Sequence, residues 1–272
     1  MMPSFIKSLE SRASEADTLL CVGLDPHPEA LAELTPAAAR EFCLRLIDEC
    51  APYACAFKPN SAFFERHGAQ GMVVLREVIT AVPAGIPVIL DAKRGDIPST
   101  AESYAHAVFD TLGAHALTAS PYLGAEALAP FLNRPERGVF VLCKTSNPGA
   151  DELQALLAEG EPLYLHVARK AQTWNRHDNL GLVVGATDPL ALARVRAAAP
   201  DLWFLTPGVG AQGANLEAAL QAALRPDGMG MLVHSSRFIA GASDPAMAAA
   251  NMRDAINVER RAEGSAAGDG LR

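Results

Sequence analysis

The residues best suited to chemistry lie in one run, Asp91-Ala92-Lys93-Arg94-Gly95-Asp96, which sets a lysine between two carboxylates. The run follows Pro87-Val88-Ile89-Leu90, a short apolar stretch that reads as a buried strand. Alternation along a strand points Asp91 and Lys93 the same way. Gly95 lets the chain turn immediately afterwards, freeing Asp96 to approach the same spot or a neighbouring molecule. Carboxylates close to an ammonium keep it protonated. A charge fixed in this way can stabilise an anion that forms during a reaction and then protonate it. The same residues also fit a structural ion pair at a barrel rim, because ion networks shift pKa values without catalytic purpose. The elements that carry them help to separate the two readings.

Short apolar runs recur at 19–24, 53–57, 87–90, 115–119, 139–143, 182–185, 202–205 and 229–233. None alternates cleanly between apolar and polar, which suits parallel strands buried on both faces. Helical patterns lie between them, at 37–50, 70–81, 189–199 and 215–224. The first follows Thr35-Pro36, a cap and first-turn pair. The interval 145–181 has room for two helices. This order predicts an α/β protein, a single-domain (β/α)8 TIM barrel over residues 1–259. Residues 260–272, rich in Gly, Ala and charge, are expected to form a flexible tail.

Barrels of this kind place their active sites at the C-terminal ends of the strands. Those ends carry Asp25, Lys58-Pro59-Asn60, Asp91 with Lys93, Ser120-Pro121-Tyr122, Lys144-Thr145-Ser146-Asn147, Thr206-Pro207-Gly208 and His234-Ser235-Ser236-Arg237. The strand starts carry proline, glycine and ordinary loop residues. Polar groups gathered at one rim favour a functional site over a scattered structural role.

Gly208-Val209-Gly210-Ala211-Gln212-Gly213 matches G-x-G-x-x-G. It follows the seventh strand instead of opening a mononucleotide-binding unit, so a nicotinamide site fits poorly. A better reading is the phosphate site that barrels build after strands seven and eight. Backbone N–H groups of the glycine loop can approach a phosphate, Gln212 can donate to it, and Arg237 supplies a bidentate fork. An exposed glycine loop and a surface arginine are the plainer alternative. Lys58, at a strand end, suggests an anionic substrate or a relay with Asp91. Asp25 suits sugar hydroxyls, and equally an N-cap before Pro26. Ser146-Asn147-Pro148-Gly149 is also compatible with a simple turn. The seven histidines show no metal spacing, and no metal or cofactor is expected.

Composition sets outer limits. Of the 272 residues half are hydrophobic, enough for one large core. A formal net charge of −8 argues against a nucleic-acid footprint. No run approaches the roughly 20 apolar residues of a membrane span, and residues 1–17 lack the pattern of a signal peptide. Cys21, Cys43, Cys50, Cys55 and Cys143 are odd in number and form no Cys-x-x-Cys pair. Free thiols in a reducing, cytoplasmic setting are therefore expected.

Taken together, several motifs resemble the orotidine 5′-phosphate decarboxylase family over nearly the whole chain, and its longer bacterial branch in particular. They are Val22-Gly23-Leu24-Asp25, Phe57-Lys58-Pro59-Asn60, Asp91-Ala92-Lys93-Arg94-Gly95-Asp96-Ile97-Pro98, Ser146-Asn147-Pro148-Gly149-Ala150, the run from Thr206 to Gly213, and Ser236-Arg237. The resemblance implies cofactor-independent conversion of a small nucleotide, orotidine 5′-phosphate, to uridine 5′-phosphate in pyrimidine synthesis. It implies that Lys93 is the ammonium that stabilises and protonates the carbanion, with Asp91 and Lys58 completing the charged array. Asp96, with Ile97 and Thr100, would enter the site of a second subunit, making a homodimer. Asp25 and Lys58 would hold ribose hydroxyls, Ser146 the pyrimidine, and Gln212 and Arg237 the phosphate. Asn60 and Ser120 receive no definite role.

The residues suit that chemistry in their own right. Loss of CO₂ from a pyrimidine carbon leaves an in-plane anion that the ring π system cannot delocalise. With no cofactor motif to act as electron sink, fixed charge must supply the stabilisation, on the order of 20 kcal/mol. Two alternatives remain. A magnesium-dependent sugar-phosphate aldolase or synthase would carry a similar third strand, but Lys58 repels a cation. A non-catalytic phosphate-ligand sensor would keep Gln212 and Arg237 without needing Asp91, Lys93 and Asp96 together.

Overall fold

The computed structural model describes residues 4–209 and 215–269. Eight parallel strands form the barrel: β1 (Leu20–Leu24), β2 (Ala56–Pro59), β3 (Ile89–Arg94), β4 (Ala116–Ala119), β5 (Gly138–Lys144), β6 (Leu180–Val184), β7 (Trp203–Thr206) and β8 (Met231–Ser235). Their order around the sheet is β2-β1-β8-β7-β6-β5-β4-β3. Isolated parallel bridges, Phe57 with Val88 and Asn60 with Asp91, bring β2 and β3 together and nearly close the ring. The expected TIM barrel is therefore found. Every residue of β1, β6 and β8 is buried, as strands packed on both faces require.

Several helices begin at a side-chain cap. Thr35 accepts from Ala38 N–H ahead of Pro36–Cys50, Asp188 from Ala191 N–H ahead of Pro189–Ala198, and Asn215 from Ala218 N–H ahead of Leu216–Ala223. Each satisfies a backbone donor that the first helical turn leaves free. At the N-terminal end of the barrel Arg196 donates to the carbonyls of Ala199, Leu202, Ala223 and Gly230.

β2 and β8 sit about two residues nearer the rim than their apolar runs suggest. Before β2, the carbonyls of Tyr53 and Ala54 are taken by Thr18 and Arg12 side chains, so this stretch forms a turn instead of a ladder. Before β8, Gly228 and Gly230 have φ of 72° and 85°, outside strand geometry. The shift puts Lys58 and His234 within strands. The interval 145–181 holds the helix Leu163–Trp174, the short helix Asp151–Gln154, and a small antiparallel pair, Leu157–Ala158 with Glu161–Pro162. Two helices were expected there, and the added hairpin turns at Glu159 and Gly160, which have φ of 53° and 83°. The last helix spans Pro245–Asp269, so helical backbone continues through residue 260, where a tail was expected to begin. No helix among the described residues is long and apolar enough to cross a membrane.

Candidate active site

The polar rim residues converge on a cavity of about 300 Å³ over the C-terminal ends of the strands. Asp25, Lys58, Asn60, Asp91, Lys93, Thr118, Ser146 and His234 are among its walls. At its centre Asp91 joins two ammonium groups: Lys58 Nζ lies 2.9 Å from Oδ2 and Lys93 Nζ 2.7 Å from Oδ1. Within one chain the arrangement is thus a carboxylate between two lysines, the reverse of the expected lysine between two carboxylates. Asp96 takes no part in it. Its Oδ1 accepts from Ile97 N–H at 2.8 Å, and neither Asp96 nor Thr100 lines the cavity.

Strand alternation alone does not bring Asp91 and Lys93 together. The β3–β4 register shifts between Leu90 and Arg94, and Lys93 sits at a φ of 47°. A non-glycine residue held in that region is strained and persists only where its surroundings fix it. Thr118, on β4, provides the fixing. Its Oγ1 accepts from Lys93 N–H at 2.9 Å and donates to Asp91 Oδ1 at 2.8 Å. Gly95 serves a different purpose from the expected turn: a Cβ there would lie 3.2 Å from Ser120, so glycine permits close approach. Arg94 turns away to Glu65, at 2.7 Å.

Burial alone would raise the Asp91 pKa. The adjacent Lys58 and Lys93 charges and their hydrogen bonds outweigh burial and hold the carboxyl well below its ordinary range. Lys58 is 4% exposed, and burial alone would lower its pKa. Asp91 and then Asp25 more than offset that, so the ammonium is held more firmly than usual. The side chain of Lys93 is half exposed, and one of its three ammonium donors goes to Asp91. The others are available to the cavity. The array is a preorganised set of charges, two of them largely buried, with one half-exposed ammonium at its mouth.

A second cavity of about 320 Å³ lies toward β7 and β8 and is lined by Gly208, Val209, Ser236 and Arg237. Gly208 has a φ of 105°, which favours glycine. Arg237 is exposed and opens the short helix Arg237–Ala240 directly after β8. Gln212 lies outside the described residues. Ser146 lines the first cavity and packs so tightly on Gly185 that a Cβ there would lie 2.8 Å from its own. The segment around Ser146 is tied down from the insertion. Gln154 accepts from Thr145 N–H and donates to its hydroxyl, and Lys144 Nζ meets Asp151 at 2.8 Å. Asn60 Oδ1 accepts from Ala62 N–H, and Ser120 Oγ from Tyr122 N–H, so both support local turns.

Two contributors were missed in the sequence. Thr118 sits in an apolar strand, where its only signal is a lone hydroxyl near the rim. His234 reads in the sequence only as one more polar residue at the rim, with no role of its own, yet it lines both cavities and is 8% exposed. Burial, with Lys58 adding to it, pushes its pKa well below the ordinary value, so the ring is neutral.

Comparison with known proteins accords with this geometry. Residues 18–252 match the model of the "Orotidine 5′-phosphate decarboxylase / HUMPS family". A protein of Roseiflexus castenholzii named orotidine 5′-phosphate decarboxylase is 51% identical, over 95% of this chain and 99% of its own. The solved OMP decarboxylase of Leishmania donovani is 55% identical with a TM-score of 0.88, covering 94% of this chain and 98% of that one. The UMP synthase of the same organism is 56% identical with a TM-score of 0.91, covering 95% of this chain and 57% of that one.

Proposed function

This chain belongs to the orotidine 5′-phosphate decarboxylase / HUMPS family, and from that membership we infer that it is a carboxy-lyase converting orotidine 5′-phosphate to uridine 5′-phosphate in pyrimidine synthesis. The observation that carries the reading is the Lys58–Asp91–Lys93 array at the strand ends, two cations on one carboxylate. It favours a forming anion and disfavours a divalent metal, so nothing supports the magnesium-dependent alternative. A sensor without turnover would have no use for the strained Lys93.

We assign the roles as follows. When the bond to CO₂ breaks, its electron pair stays on the ring carbon. The Lys93 ammonium stabilises that pair and donates a proton to it, and the resulting amine regains a proton from water. Asp91 and Lys58 hold the ammonium in place, so little reorganisation accompanies the change in charge. Asp25 and Lys58 hold ribose hydroxyls and Ser146 the pyrimidine. Arg237 and Gln212 grip the phosphate, whose binding energy can be used in the transition state.

The expected partner is a second copy of the chain. Asp96 and Thr100 stand outside their own cavity, on a rim where Ile97, Tyr122 and Leu123 are exposed. That arrangement supports a homodimer in which each chain lends Asp96 to the other's site. A cytoplasmic location is supported by the cysteines, which are all buried as free thiols. Burial pushes Cys50, Cys55 and Cys143 up to about 12, leaving them unreactive.

Orotidine 5′-phosphate mixed with the purified protein in EDTA, with no cofactor added, is expected to change its ultraviolet absorbance to that of uridine 5′-phosphate as CO₂ leaves. Turnover that stops on chelation and returns with magnesium would remove the decarboxylase mechanism in favour of metal chemistry. Arg237→Ala is expected to raise KM for the phosphorylated substrate about tenfold or more with a smaller change in kcat, since it removes a charge-assisted fork. An unchanged KM in steady-state kinetics would rule out the phosphate grip.

A further inference from the structure

The two cavities share four lining residues, Asp25, Asn60, Pro207 and His234. These form a waist between the Asp91–Lys93 end and the Arg237 end. In a nucleotide the sugar lies between base and phosphate, so a nucleotide spanning both cavities places its ribose at the waist. This step rests on the decarboxylase reading above.

Two of the four residues are ready to meet a ligand there. Pro207 has no side-chain donor or acceptor, and Asn60 is held to its own turn, its Oδ1 accepting from Ala62 N–H at 3.1 Å, with only its amide N–H donors left over. Asp25 and His234 are 7% and 8% exposed, and Asp25 Oδ1 and His234 Nε2 have no hydrogen-bond partner among the described residues. Buried polar atoms left bare are costly, and nothing among the described residues satisfies this pair, which suits it to a ligand's hydroxyl. Glycine at position 23 lets the ring and Ser236 pack this close to β1: a Cβ there would lie 2.9 Å from His234 Nε2 and 2.7 Å from Ser236 Oγ. A neutral imidazole carries one donor and one acceptor, which matches a hydroxyl, itself both. An ammonium or a second carboxylate at this point would add charge to the array, whereas a neutral ring does not.

We propose that His234 reads the sugar: beside Asp25, its ring hydrogen-bonds one ribose hydroxyl of the bound nucleotide and so selects against nucleotides that lack it. The test compares wild type, His234→Leu and His234→Asn for binding of uridine 5′-phosphate and its 2′-deoxy and 3′-deoxy forms by calorimetry. The His234 side chain makes no hydrogen bond among the described residues, so leucine breaks none. His234→Leu is expected to weaken uridine 5′-phosphate about tenfold. For the one deoxy form that lacks the contacted hydroxyl, the loss should shrink to within about twofold, as a pairwise interaction requires. His234→Asn keeps a donor and an acceptor and should recover part of the affinity with the same preference. Should leucine prevent folding, the smaller loss in His234→Asn must show that pattern.

An equal loss for all three nucleotides, or no loss, overturns the assignment alone. Wild-type protein that fails to bind uridine 5′-phosphate overturns the decarboxylase reading and this assignment with it.

Discussion

Lys93→Ala loses turnover by at least about a thousandfold, as expected when a group aimed at developing charge is removed, while uridine 5′-phosphate still binds. The reasoning is geometric. Lys93 is the half-exposed member of the array and Lys58 the buried one. Removing Lys93 leaves Asp91 paired with Lys58 and hydrogen-bonded to Thr118, so the carboxylate keeps partners and the strand end keeps its anchor. Alanine also occupies the same backbone conformation at the same cost as lysine, because both carry a Cβ. What disappears is the half-exposed ammonium and its proton. Initial rates, paired with calorimetric binding of the product, separate loss of chemistry from loss of the site. A variant within about tenfold of wild type would sink the lysine assignment, since that is worth only about 1.4 kcal/mol of barrier.

Mixing two inactive variants restores activity if the site is shared. Asp96→Ala and Lys93→Ala homodimers each lack one group in both sites. In a mixed dimer one site lacks both groups and the other has its own Lys93 and the neighbour's Asp96 intact. Random exchange makes half the dimers mixed, so recovery of about a quarter of wild-type activity is expected for a symmetric two-site assembly. Among the described residues Asp96 does no more than accept from the neighbouring Ile97 N–H, an exposed contact whose loss costs about 1 kcal/mol or less. Misfolding is therefore a poor explanation for an inactive Asp96→Ala. Mixed dimers purified with two different tags and still inactive would confine Asp96 to a local structural role.

The same two residues show how far sequence reasoning reaches. The spacing of Asp91 and Lys93 marked them as a pair, and the apolar run before them placed them on a third strand. The reason given for their meeting, alternation, was incomplete. A register shift and a positive φ at Lys93 do the placing, and these depend on Thr118 from another strand. A backbone distortion that long-range contacts sustain leaves no local trace in composition. The partnership of Lys58 with Asp91 spans 33 positions and crosses the seam that closes the barrel, so only closure brings it about.

The role of His234 is hidden in the sequence for a related reason. A histidine at a strand end carries no sign of whether its ring is satisfied. That is known only once its neighbours are placed, and they leave Nε2 bare. The start of β2 was misplaced because Thr18 and Arg12, far upstream, take carbonyls that a ladder would otherwise use.

By itself the sequence determined the barrel, the rim that carries chemistry and the residue types gathered there. Hydrophobic periodicity and strand-end polarity are local properties, repeated often enough along this chain to be unambiguous. Tertiary structure alone decided which charge stands between which, that Asp96 lies apart from its own cavity, and which buried polar atoms still lack a partner. Electrostatic energy and hydrogen-bond satisfaction depend on distances of a few ångströms between strands that are remote in sequence, and only the closed barrel sets those distances.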